Sequence, residues 1–432
     1  RRQRQMCIRD RNMFKQYFKQ AIQMLKENRL TSVISILGTA LSIAMILVVI
    51  LQFQIKLVGF RPESNRGRML YIMGIRADSR NSGDRNSTAM SDGVVKECLY
   101  PLQTPEAVTA IASNRAIVSL PNRQLFEEYV IKYTDPGFWK VFDFRFISGK
   151  PFTEADFSSG LPCAVITNTL ARKLFGSEDP IGKEVLMGYV PYTITGVVEA
   201  PTRAANSAYA DVWAPYTSNT NYVNSMSCGG VCGSFQGVIL ARSASDFDAI
   251  RTEIKQAVSR YNATGREFVL GMNFVFSRLD VALGSNDVNG GILKGWKEYL
   301  TQTAPLLLFL LLVPTLNLTG VVQSSVQKRR SEMGLRKAFG ATKGRLLTQV
   351  LCENLIITLI GGLIGIVLSV ILLQLCKSFL LTKETAVTFE MLFKPILFVA
   401  ALFFTLLLNL LSAGLPAIRI SREQIVDALN NK

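Results

Sequence analysis

The chain has 432 residues and no histidine. That removes Ser-His-Asp and Cys-His centres, His-ligated metals and His-based pH sensing. Reactive chemistry would have to come from carboxylates, lysines or cysteines. Of seven cysteines, Cys98, Cys163, Cys228 and Cys232 lie in a long polar region, whereas Cys352 and Cys376 sit in an apolar run and read as packing residues. Cys228 and Cys232 form CGGVC in a Gly-rich stretch. A small-ring disulfide in an oxidising compartment and a pair of free thiols both fit that spacing. Zinc would need thiolates converging from distant stretches, so no metal site is expected. The nearest approach to a phosphate-binding loop is GSEDPIGK, Gly176 to Lys183. It has five residues between its glycines instead of four, and Glu184 replaces the hydroxyl that would hold magnesium. Pro180 and Gly182 make it a turn. No catalytic residue, cofactor or enzymatic activity is expected of the chain itself.

The elements that carry these residues follow from where the apolar residues fall. Hydrophobic residues make up 49% and charged residues 19%, below the roughly 25% charge of an average domain, which excludes a disordered chain. A helix needs about 20 apolar residues to cross a bilayer core. Four segments reach that length: residues 31–55, 304–322, 346–376 and 395–415. The first is too long for a signal-peptide core, and no small-x-small cleavage site follows it. It reads as an uncleaved anchor.

Most of the net charge of +16 lies beside these segments. Arg1, Arg2, Arg4, Arg9 and Arg11 fall in residues 1–12, a stretch without apolar periodicity that reads as an extraneous leader or a basic tail, with Met13 as a natural start. Residues 13–30 place Phe14, Tyr17, Phe18, Ala21, Ile22 and Leu25 at helical spacing with lysines elsewhere on the wheel. That is an amphipathic helix for the inner membrane surface or a partner subunit. The loop 323–345 carries Lys328, Arg329, Arg330, Arg336, Lys337, Lys343 and Arg345 against Glu332. Positive charge marks the inner side. Both termini, including the tail 416–432, are therefore expected in the cytoplasm, with residues 56–303 and the short loop 377–394 outside. A basic nucleic-acid face is excluded by this placement and by the lack of any recognition motif.

Within the spans, Gly361, Gly365 and Ser369 repeat every four residues, as do Gly38 and Ser42. Small residues at that spacing allow close helix approach. The readings are a dimer or intramolecular seam, or packing without further role. Glu353 and Asn354 sit just inside the third span; an ionisable group there is either functional or a structural glutamate, solvated or paired near the inner surface. In the inner loop, Met333, Leu335 and Phe339 are apolar residues in a charged segment and need a partner surface or the membrane. Glu332 and Arg336 form an i,i+4 pair worth about 0.3–0.5 kcal/mol when exposed.

The outside region reads as mixed α/β. Strands are expected at Arg68–Arg76, Arg115–Leu120, Ala164–Thr167, Tyr192–Val198, Gln236–Arg242 and Asn273–Phe276, and helices at Thr104–Ser113, Asn168–Phe175 and Ser245–Ser259. Residues 76–93 and 202–233 read as loops. The fold class is thus an integral membrane α-helical protein with four transmembrane helices and a large extracytoplasmic α+β domain of two subdomains. One is split between 56–120 and 236–303, and the other, 121–235, is inserted into it.

The segment RRSEMGLRKAFGAT, Arg329 to Thr342, resembles the FtsX-like permease family, specifically the MacB-type branch of ABC transporters. Met333 stands for the usual Ile. The ending PAIRISREQIVDAL, the first-span segment SILGTALSIA, and FWKVFDFRFISGKPFTEAD, NTLARKLFGSEDPIGKEV and YTITGVVEAP are similar to the same branch. The resemblance runs from Met13 to Leu429, with residues 304–429 as the permease region. It implies an inner-membrane, multi-pass permease working with an ABC ATPase on a second polypeptide that binds the ATP. The ATPase contact would be Arg329, Arg330, Glu332, Met333, Gly334, Leu335, Arg336, Lys337, Phe339 and Gly340. It also implies a homodimer, in some relatives joined to an adaptor and an outer-membrane channel, that exports a drug, peptide or lipoprotein by mechanical coupling. The alternative is a mechanotransmission module that regulates an envelope enzyme or senses peptides without transport.

Overall fold

The structure, a computed structural model, describes residues 29–121, 127–224, 227–272, 275–282 and 343–375, with single positions at 23, 297, 300, 301, 304, 305, 399 and 403. The α-helices among them are α1 (Arg29–Leu57), α2 (Asp92–Val94), α3 (Phe138–Val141), α4 (Glu154–Ser158), α5 (Asn168–Phe175), α6 (Phe247–Ala263), α7 (Arg278–Ala282) and α8 (Lys343–Leu375). The strands are β1 (Met69–Ile72), β2 (Ile75–Ser79), β3 (Arg85–Met90), β4 (Ala107–Ser119), β5 (Glu127–Thr134), β6 (Phe146–Gly149), β7 (Cys163–Thr167), β8 (Glu184–Met187), β9 (Val190–Val198), β10 (Val212–Pro215), β11 (Cys232–Gly233), β12 (Gln236–Leu240), β13 (Phe268–Gly271) and β14 (Phe276–Ser277). The chain divides into two units: residues 1–53, 302–383 and 388–432, and residues 54–301 with 384–387.

In the first unit, α1 and α8 have 29 and 33 residues. At about 1.5 Å per residue they are roughly 44 and 50 Å long, more than a bilayer core of about 30 Å requires. Leu355–Leu372 of α8 is the one stretch among the described residues long and apolar enough to cross a membrane; the apolar part of α1, Ser32–Val48, is shorter. Apart from residues 304, 305, 399 and 403, the expected second and fourth spans lie outside the described residues. α8 carries its glycines against α1. A Cβ on Gly361 would stand 2.9 Å from Thr39 Cβ and 3.2 Å from the Ile36 carbonyl oxygen, and one on Gly365 would stand 2.8 Å from the Ala40 carbonyl oxygen. Ile43 and Leu47 of α1 are buried in the same contact beside Ile366. Ser369, also buried, donates through Oγ to the Ile366 carbonyl at 2.7 Å.

The second unit is built on a ten-stranded sheet of order β14-β1-β12-β4-β5-β10-β7-β9-β6, with β8 pairing with β4 and β9. Its central strands are buried on both faces, so alternate residues enter different cores. Leu70, Ala110, Ala112, Ile131, Ile166 and Val212 face one, with the inner face of α6. Tyr71, Ile111, Val165, Trp213 and Val238 face the other, beside Phe138, Phe142 and Phe152. A smaller four-stranded sheet, β11-β3-β2-β13, draws on both ends of the domain sequence. The large sheet runs through residue 121, because β4 pairs with β5 over eight positions, Ile111 with Thr134 through Val118 with Glu127.

Three local expectations are corrected. The helix expected at Thr104–Ser113 is the first part of β4. Val108, Thr109 and Ile111 are β-branched, and burial on two faces outweighs the N-cap signal of Thr104 and Pro105. Residues 76–93, expected as a loop, contain the β2–β3 hairpin and α2. The hairpin composition is polar because the start of β3, Arg85 to Ser87, faces solvent. Residues 202–233 contain β10, four buried residues between β5 and β7. A run that short carries no periodicity. α5 falls on the residues expected, between its Thr167 N-cap and a positive-φ Gly176.

Candidate functional site at the end of α1

A helix leaves its last carbonyls without intrahelical partners. At the end of α1 they are met by two arginines from later in the chain. After Phe60 and the cis Arg61–Pro62 bond, the chain turns so that Arg66 folds back. Its Nη1 donates to the carbonyl oxygens of Ile55 at 3.0 Å and Val58 at 3.1 Å. Its Nη2 donates to the Ala204 carbonyl at 2.5 Å, and its Nε to Glu63 Oε2 at 2.6 Å. Both side chains of the pair are fully buried. The other Glu63 oxygen accepts the backbone N–H groups of Ser207 at 3.0 Å and Ala208 at 3.1 Å. Arg278, at the start of α7, donates through Nε to the Lys56 carbonyl at 2.5 Å.

Loop 202–208 is held from its other side. Lys132 of β5 donates through Nζ to the Asn206 carbonyl at 2.9 Å and to that of Ser207. Trp213 of β10 donates through Nε1 to the Ala208 carbonyl at 3.1 Å. Burial pushes the Lys132 ammonium down to about 7, with the Glu63 carboxylate opposing. Burial also lowers Arg66, again opposed by Glu63, with Arg278 adding a like-charge push downward. Full satisfaction of the buried pair matters, because removing one partner of such a pair costs about 3–5 kcal/mol. The arrangement binds the last turn of α1 to the turn before β1, to loop 202–208 and to α7. Its capacity is mechanical: it resists displacement of that turn from the sheet.

Sequence reasoning passed over Glu63, Arg66, Lys132 and Arg278. The one local signal was FRPESNRGR, a charged cluster directly after an apolar run; its burial depends on residues more than a hundred positions away. The residues it did single out, Arg329, Arg330, Glu332, Met333, Gly334, Leu335, Arg336, Lys337, Phe339 and Gly340, lie outside the described residues. Gly361 and Gly365 meet Ile36, Thr39, Ala40 and Ile43 of α1. Gly38 is half-buried beside that set. Ser42 lies on α1, and Glu353 and Asn354 lie on α8. Cys228 and Cys232 are bonded to each other. Cys98 and Cys163 are buried free thiols in different cores, pushed by burial up to about 12 and about 11. GSEDPIGK is a turn with Gly182 at φ +78° and Lys183 paired with Glu178.

Residues 32–257 match the family of the MacB-like periplasmic core domain, and residues 306–425 match the FtsX-like permease C-terminal family. Among curated relatives, the uncharacterized ABC transporter permease YknZ of Bacillus subtilis is 23% identical over 81% of this chain and 83% of its own length. The macrolide export ATP-binding/permease protein MacB of a Shewanella species is 25% identical over 95% of this chain and 60% of its own. That of Neisseria gonorrhoeae is 24% identical over 83% of this chain and 53% of its own. The chain thus spans little more than half the length of these MacB relatives. Among solved structures, the extracellular domain of YknZ matches 47% of this chain and 99% of its own at 18% identity and TM-score 0.35. The periplasmic region of MacB from Actinobacillus actinomycetemcomitans matches 52% of this chain and 95% of its own at 15% identity and TM-score 0.36. The protein is an ABC transporter permease. It belongs to the FtsX-like permease family, in the branch that carries a MacB-like periplasmic core domain.

Proposed function

We propose that the chain is the transmembrane permease subunit of an ABC transporter that couples ATP hydrolysis by a partner ATPase to movement of its extracytoplasmic domain, exporting a drug, peptide or lipoprotein. The chain is multi-pass in the inner membrane, with four spans, both termini in the cytoplasm and residues 56–303 outside. The ATPase docks on the inner loop around Arg329 to Gly340, where Met333, Leu335 and Phe339 supply apolar contacts and Glu332 and Arg336 supply charge. Two copies pair, and an adaptor and an outer-membrane channel extend the path where the envelope has them. Movement of α1 reaches the outer domain through its last turn.

The observation that carries this reading is the fully buried Glu63–Arg66 pair fastened to the carbonyls of Ile55 and Val58. The test separates the two ends of the stroke. Arg66→Lys keeps the charge but loses the fork that reaches three carbonyls and a carboxylate together. We expect it to retain ATPase association and hydrolysis while export, read as drug or peptide accumulation in cells, falls at least tenfold. Glu332→Arg is expected to abolish co-purification with the ATPase. Export at the wild-type level with Arg66→Lys would refute transmission through this turn. ATP-driven domain movement without any export would favour the regulatory alternative.

A further inference from the structure

The geometry points to a binding site for a neutral sugar unit in a polar cavity of the extracytoplasmic domain. The cavity measures about 510 Å³ and lies between β3, the α2 turn and the segment that the Cys228–Cys232 disulfide closes. Small-molecule sites span about 300–1,000 Å³, so this one has room for one or two sugar rings. The inference stands apart from the transport mechanism and uses none of the residues at the end of α1.

The lining chooses the ligand class. Asn86, Ser87, Asn221, Ser227 and Ser234 stand exposed along it, while the buried Ser91 commits its hydroxyl to the Gly230 carbonyl and the Val94 N–H. Each amide offers two donors and an acceptor, and each hydroxyl does both. A ligand matched to that mixture must itself donate and accept at neighbouring atoms, as sugar hydroxyls do. No lysine or arginine among the described residues lines the cavity, so a phosphate or carboxylate ligand has no counter-ion. The one carboxylate, Asp92, already pairs with Lys96 Nζ at 3.2 Å, which removes the field that would select a cation. The half-buried Tyr222, backed by the buried Phe235 at 6.0 Å, supplies aromatic wall for the apolar face of a ring.

The wall is also held in place before any ligand arrives. Ser91 Oγ donates to the Gly230 carbonyl at 2.6 Å, and its N–H donates to the Val231 carbonyl at 3.0 Å. Met90 and Phe235 exchange two backbone bonds of 2.9 Å. Gly233 lies so close to β3 that a Cβ would come 2.4 Å from the Met90 carbonyl oxygen. A preorganised wall loses little entropy on binding. The disulfide therefore acts as a positioning element for the site.

The test uses the full chain in nanodiscs free of glycolipid and sugar detergent, with saturation-transfer NMR as the readout. The probes are maltose and N,N′-diacetylchitobiose, with spermidine and glucose 6-phosphate as charged controls. Saturable binding of at least one neutral disaccharide is expected. It should weaken at least tenfold in Asn86→Ala/Asn221→Ala, two rim positions where substitution spares the core, and at least threefold in Cys228→Ser/Cys232→Ser. Co-sedimentation with insoluble envelope glycan, inhibited by the free disaccharide, would place the sugar on a polymer; its absence alongside disaccharide binding would place it in solution. No saturable signal with either sugar, binding of spermidine or glucose 6-phosphate instead, or affinity indifferent to the asparagine substitutions would overturn the assignment.

Discussion

Asp135 shows how one buried group sets a pH dependence. Its Oδ2 accepts the Ala110 N–H at 2.6 Å and the Tyr100 hydroxyl at 2.8 Å. Those donors favour the carboxylate, yet burial outweighs them and pushes the group from 3.8 up to about 6. Between those values the folded domain holds a proton that the unfolded chain releases. Stability is therefore greatest below about pH 4 on this account and falls as pH rises to about 6, by about 3 kcal/mol. Asp135→Asn keeps an acceptor for both donors and cannot ionise. We expect the thermal midpoint of the wild type to drop between pH 4 and 6.5 and that of the variant to lose this part of the slope. Equal slopes would show that Asp135 is not the titrating group. None of this was legible in YTDPGF, Tyr133 to Phe138, where an aspartate before proline reads as a turn residue. Glu63 and Arg66 were hidden for the same reason. Polar types in a polar stretch read as solvated, and only packing by distant segments makes them buried.

At the scale of elements, the glycines of α8 make the sharpest prediction. The nearest obstacle to a side chain at Gly365 is the Ala40 carbonyl oxygen, a backbone atom that cannot rotate away. Gly365→Val is expected to force the helices apart and cost about 1–3 kcal/mol. Leu363→Met, at a position 69% exposed, should leave the midpoint unchanged. Equal midpoints for the two variants would mean that the close approach of α1 and α8 contributes nothing. The small-residue spacing in α8 was readable from sequence because helical periodicity is a local property. Its partner on α1 was not: the contact uses Thr39 and Ala40, ordinary residues for an apolar helix. The same division holds outside. α5 could be placed from its cap, its amphipathic face and its closing glycine, all within one short segment. β4 could not, since the residues that read as a helix, Ala107 to Ile111, are held extended by β12, which lies far along the chain.

At the scale of the whole molecule, sheet continuity bears on how the outer domain is divided. Residues 121–235 contain β5 to β11, and β5 is the partner of β4 along most of its length. A chain lacking 121–235 is expected to be protease-sensitive across residues 56–120 and 236–282, with no folded remnant. A compact resistant core from that deletion would show that the flanking segments form an independent subdomain. The long apolar stretch Leu355–Leu372 was the part most legible in sequence, because a bilayer imposes its length rule on each segment separately. The joint between α1 and the sheet was the least legible, because it exists only once the sheet has formed. Its geometry has a rotational consequence. Arg66 and Arg278 hold the carbonyls of Ile55, Lys56 and Val58, which sit at different positions around the axis at the end of the helix. Turning residues 55–58 about that axis must therefore either carry the turn before β1 and α7 with it or rupture several buried bonds at once.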